Sequence, residues 1–355
     1  MSMDKTTPFE IFLHRHDEEA WSAVLTDLAR SIHEVDKTAT QIWFAFYPLA
    51  LWQALAQADD PERLAAQLLL KGNYELKNQI DSSHHFLYGH RYWPEVKKAL
   101  EEHAASFQET NAQGADLASR IREVARRAAS LAKRDESLLA GITAVAFMTA
   151  QQVGLEAFKA APGALGIDRK HAGKSPEQIL KERAKDNNQG LFGFLRTVDK
   201  EWTVTFDENE DGANFKLRDT SDLAFAASSD KRDYHSRDPR RIEGPIPVEC
   251  RSASCGTCWV GVLGGAEKLS DVGAREGKKI KEFGYVDTNE PKPLIRLACM
   301  AQASGAVSIV IPPWNGVFGK QLRGYKTEEQ LEAHKTDRNA VAPKNGGPLA
   351  SSLEQ

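Results

Sequence analysis

Several things are missing from this 355-residue chain: runs of one charge sign, a leader-like apolar stretch, and any surplus of cysteine. Its 46 basic and 50 acidic residues are interspersed and leave a net charge of −4, so no basic footprint marks it as a nucleic-acid binder. The first residues, Met-Ser-Met-Asp-Lys, contain neither an apolar h-region nor a twin arginine, and the expectation is a cytoplasmic location. Only four cysteines are present, too few for a disulfide framework in a chain this long. No G-x-G-x-x-G follows a strand-like run, which excludes a fused flavin or nicotinamide reductase of the usual kind. There is no G-x-S-x-G elbow, no P-loop and no second cysteine set, so neither a nucleophile nor a multi-cluster subunit announces itself.

Residues 38–58 and 137–155 carry no charge and are long enough to raise the question of a membrane. The first holds Pro48 with several Thr and Gln, the second is alanine-rich with Gln151 and Gln152, and no basic cluster flanks either. They are expected to be buried helices, with no membrane span.

What is present divides the chain. Over residues 18–195 the period is helical: Trp21, Val24, Leu25, Leu28, Ile32 and Val35 form one face, and Leu117, Ile121, Val124, Ala128 and Leu131 another. Asp60-Pro61-Glu62 and Ser175-Pro176-Glu177-Gln178 are helix starts. Helices are expected near 18–35, 38–57, 61–70, 76–105, 114–133, 136–160 and 176–195. Beyond Val198 the pattern alternates. Strands are expected at 202–206, 213–217, 259–263 and 307–312, with a short helix over 220–227 and a further short helix near 327–334 in a polar tail. The expected division is a helical domain of unassigned function (1–198), a second domain (199–318) and a C-terminal tail (319–355).

The four cysteines stand as Cys250-x4-Cys255-x2-Cys258 and then, about forty residues on, Cys299. Ile246-Pro247-Val248-Glu249-Cys250-Arg251 leads in, Cys255-Gly256-Thr257-Cys258-Trp259-Val260 leads out, and Arg296-Leu297-Ala298-Cys299 presents the last thiol. In these residues the chain, over about 200–316, resembles the plant-type [2Fe–2S] ferredoxin domain. The resemblance implies a β-grasp fold and one [2Fe–2S] cluster, with Cys250 and Cys255 on the outer iron and Cys258 and Cys299 on the inner one. The fold class is therefore α+β multidomain, an all-α N-terminal domain followed by a β-grasp ferredoxin-like domain. A structural zinc site is the alternative, but zinc ribbons pair two C-x2-C knuckles and only Cys255 and Cys258 form one here.

Two features depart from the family pattern. Ala253 stands where glycine is common, which ligation should tolerate if its φ is negative. The fourth cysteine comes about ten residues late, and the extra residues are expected within 266–293 as a helix and a longer surface loop. Arg251 and the loop 231–241, with Arg237, Arg240 and Arg241, are expected to flank the cluster and steer partners by charge.

The expected function is one-electron relay between a reductase and an acceptor, with the helical domain selecting or docking the partner. The protein is read as an electron carrier rather than a catalyst. A cluster-based redox sensor and an oxidoreductase with a second cofactor are the alternatives. For the last, the candidates are His84, His85 and His90, whose density is compatible with haem or metal, although hydrogen bonding at a helix end or rim is the plainer reading.

Overall fold

The computed structural model describes residues 6–108, 116–185, 200–283 and 292–317. Helix α1 (Pro8–His14) starts at a Thr7–Glu10 capping box and is followed by α2 (Glu18–Leu28), α3 (Glu34–Phe46), α4 (Leu49–Gln57) and α5 (Pro61–Gln67). A short strand β1 (Lys71–Gly72) and two 3-10 turns, Leu76–Asn78 and Tyr88–Tyr92, precede α6 (Trp93–Ser106). Then come α7 (Leu117–Ala132), α8 (Ser137–Val153), α9 (Leu155–Ala160), α10 (Arg169–Ala172) and α11 (Pro176–Ala184). Helix α8 is apolar on every side and is correspondingly buried from Leu138 to Gln152, with α1, α3, α6 and α7 around it. Among the described residues no helix is long and apolar enough to cross a membrane.

Several expected helices are shorter. The 38–57 segment breaks at Pro48, which precedes α4, and 136–160 breaks at Gly154, whose φ of +81° a side chain would resist. The largest difference lies in 76–105, where only α6 is an α-helix. Upstream, the buried carboxylate of Asp36 accepts the N–H groups of Tyr88 (2.6 Å) and Gly89 (2.7 Å), and Pro94 sets the start of α6. A tertiary acceptor thus captures backbone donors that a helix would have used.

The second part contains β2 (Glu201–Thr205), β3 (Asn214–Arg218), α12 (Leu223–Ala227), β4 (Trp259–Gly264), α13 (Ala274–Phe283), β5 (Ile295–Leu297), β6 (Val307–Val310) and β7 (Trp314–Asn315). The main sheet has the order β3-β2-β6-β4-β5, with β2 and β6 parallel and the other pairs antiparallel. The chain thus has the α+β multidomain architecture expected of it. The tail, including the helix expected near 327–334, and the turn at 289–291 lie outside the described residues.

Helices and sheet share one hydrophobic core that runs from Phe9 to Trp314. Helix α3 lies on β4 at Gly261, where a Cβ would sit 2.6 Å from Ile42. Arg183 of α11 donates to Val35 O (2.6 Å) and makes two 2.8 Å bonds to Glu208, which also accepts from Ser308. β1 pairs with β7, so one strand of each part closes a small second sheet.

Candidate metal centre

The cysteine loop curls because three of its residues, Arg251, Ala253 and Gly256, have φ of +50°, +56° and +69°. Positive φ turns successive N–H groups to the same side, a geometry that gathers donors around an anion. Ser252, Ser254 and Cys255 all direct N–H groups at Cys250 Sγ (3.4, 3.2 and 3.4 Å), and Ala253 N–H points at Cys299 Sγ (3.4 Å). Thr257 Oγ1 lies 3.0 Å from Cys255 Sγ. The condition set for Ala253, a negative φ, is not met. The position is left-handed, with the methyl buried, so alanine occupies a conformation that favours glycine.

Strand pairing delivers the fourth thiol. Trp259 pairs with Leu297, Ala298 N–H donates to Cys258 O (2.8 Å), and Cys299 sits in the turn immediately after β5. Cys258 and Cys299 are buried, whereas Cys250 and Cys255 are partly exposed. Burial opposes ionisation of Cys250, but the Ser252 N–H, the Cys255 thiol and the other loop N–H groups outweigh it and bring the thiol down to about 6. Cys258, hydrogen-bonded to Cys299 and desolvated, is pushed up, while the bond it gives lowers Cys299. The thiols therefore stand at two depths, Cys250 and Cys255 shallow and Cys258 and Cys299 deep. A structural zinc ion draws its ligands to one point. Among the described residues no three His, Cys, Asp or Glu side chains converge in that way. Two shallow and two deep thiols, with peptide N–H groups on sulfur, suit a two-iron group.

The segment between the third and fourth cysteines supports this site more closely than a surface loop would. Helix α13 presents Glu276, Ile280 and Phe283 inward, and the Phe283 ring would lie 3.1 Å from any Cβ at Gly256 while packing edge-on against Trp259. Glu276 and Arg296, both essentially unexposed, form a two-bond ion pair (2.8 and 2.9 Å). Arg296 also donates to Ser270 O, and Leu297 N–H donates to Glu276. The spacing i, i+4, i+7 in 276–283 is the sequence signal for this buried face.

The charged rim is also different from the expectation. Arg251 is ion-paired with Glu243, Arg237 with Glu210, and Arg240 is half-buried, bonded to Asp238, Asn315 and Pro312 O. Neutralised guanidinium groups steer partners weakly.

The histidines form a separate group, in the core rather than at a rim. His84 and His90 are wholly buried, with their Nδ1 atoms 2.9 Å apart. His84 Nε2 donates to Ile80 O (3.1 Å), so its Nδ1 accepts from His90. Desolvation lowers His84 to about 3 and His90 to about 2, and both are neutral near pH 7. His85 lies beside Gly166 O (2.9 Å) and Asp207 (3.5 Å).

This geometry agrees with the sequence comparison. Residues 234–304 match the 2Fe-2S iron-sulfur cluster binding domain. The 2Fe-2S domain so defined contains all four cysteines, α13 and the Glu276–Arg296 pair. Comparisons with curated proteins and with solved structures give no match.

Proposed function

We propose that Cys250, Cys255, Cys258 and Cys299 hold one [2Fe–2S] cluster and that the protein relays single electrons between a reductase and an acceptor. The observation that carries this reading is the set of four peptide N–H groups directed at the sulfurs of Cys250 and Cys299, within the segment that matches the 2Fe-2S domain. The bound cluster would supply the one-electron couple. The chain's own residues hold sulfur charge with N–H donors, exclude water around Cys258 and Cys299, and leave Cys250 and Cys255 nearest to solvent as the exit for electrons.

For the rest of the chain we retain a helical unit over 1–198 that docks or selects the partner and a cluster unit over 199–318, in the cytoplasm. The change from helical to strand elements between Ala184 and Glu201 supports this division. The test is metal and acid-labile sulfide analysis of anaerobically purified protein, with EPR after reduction. Two irons, two sulfides and a potential on the order of −400 mV are expected. One zinc and no sulfide would overturn the reading.

A further inference from the structure

A cavity of about 620 Å³ lies on the side of the sheet that faces the helical part. Phe86, Phe206 and Ile311 give it apolar walls, and His85, Asp207 and the 237–241 loop give it a charged rim. Its volume is that of a small-molecule site, and its position between two structural units is a common one for such sites.

Among the described residues, three of the four carboxylates around it are held by arginines. Glu208 is held by two bonds from Arg183, Glu210 by Arg237, and Asp207 faces His85 and accepts the Asn209 N–H. Asp238 is taken by Arg240 through three bonds. Arg241 is left over. Its side chain is 20% exposed, and its one ion-pair contact, 3.3 Å from Nε to the already committed Asp238, is outside hydrogen-bond geometry. Among the described residues its Nε has no hydrogen-bond partner. Burying a charged donor without a full set of acceptors is costly, and it leaves N–H groups of Arg241 available to an incoming anion.

We infer that this cavity binds a small organic carboxylate, its carboxyl group paired with Arg241 and its apolar body against Phe86, Phe206 and Ile311. A planar guanidinium fork matches a carboxylate through two parallel bonds. Inorganic phosphate would satisfy Arg241 but leave the apolar walls unmatched. This site is independent of the cluster reading.

The experiment uses the full-length holoprotein with benzoate, its neutral isostere benzamide, and inorganic phosphate as probes, read by calorimetric titration and by melting temperature. Benzoate is expected to bind and to raise the melting temperature with concentration, and benzamide to do neither. Arg241→Gln should weaken benzoate binding by at least roughly tenfold, the order expected when a charge-assisted pair is lost. Benzoate should also slow amide exchange in 237–241 of the unmodified protein, so location is tested even if the variant does not fold. Equal binding of benzoate and benzamide, binding of phosphate but not benzoate, or undiminished binding by the variant would each overturn the assignment.

Discussion

At the scale of single residues, Ala253 and the buried histidines are the informative positions. Ala253 holds φ +56° with its methyl buried against the cysteine loop. Because the left-handed region disfavours a Cβ, Ala253→Gly should stabilise the loop by about 1 kcal/mol, less the entropy glycine adds to the unfolded chain. Slower loss of cluster absorbance in urea would register it, and faster loss would mean that the methyl contributes packing worth more than the strain. His84 and His90 govern acid stability. Their folded pKa values lie below the unfolded ones, so unfolding takes up protons and their contribution is lost as pH falls below about 6.5. Desolvation raises Asp36 to about 6, which acts with the opposite sign between roughly pH 4 and 6. Two protons against one leave a net loss of about 1.4 kcal/mol per pH unit over that window from these three groups. His90→Asn should flatten the pH dependence of the urea midpoint by about one proton relative to the unmodified protein. An unchanged slope would show that His90 does not stay neutral in the fold.

At the scale of elements, α13 is joined to the strand that precedes Cys299 by the Glu276–Arg296 pair. Removing one partner of a buried pair leaves the other charge without compensation, at about 3–5 kcal/mol. Glu276→Gln should therefore shorten cluster lifetime even though residue 276 is no ligand, while Lys278→Gln in the same helix should not. Equal lifetimes for E276Q and the unmodified protein would mean that β5 keeps its position without α13. The same element explains why a longer segment between the third and fourth cysteines is accommodated. It places Phe283 against the cysteine loop at Gly256 and against Trp259.

At the scale of the whole molecule, the helical part and the sheet are packed as one body of contacts. Arg183 bridges α3, α11 and the β2 end, β1 pairs with β7, and Ile42 fills the space that Gly261 leaves. A methyl group at Gly261 would meet Ile42 and Val310 at once, so Gly261→Ala should cost about 1–3 kcal/mol and separate α3 from β4. With such an interface, far-UV circular dichroism, which follows the helices, and cluster absorbance should lose signal in one transition in the unmodified protein. In Gly261→Ala the two signals should come apart. Separate transitions already present in the unmodified protein would show that each part is stable without the shared core.

The sequence by itself determined the segment that matches the 2Fe-2S domain, because Cys250, Cys255 and Cys258 are local to one loop and the resemblance rests on their spacing. It also determined the hairpin of β2 and β3 and the helix starts at Asp60 and Ser175, where caps and alternation act over a few residues. Only the tertiary structure decided the rest. A single helix is expected near 76–105, but the buried Asp36, some fifty residues away, takes the Tyr88 and Gly89 N–H groups. Arg237 and Arg240 read as rim charges, and only folding brings Glu210 and Asn315 to them. In the same way Glu276 meets Arg296, since ion pairing between distant segments depends on which surfaces the shared core brings together.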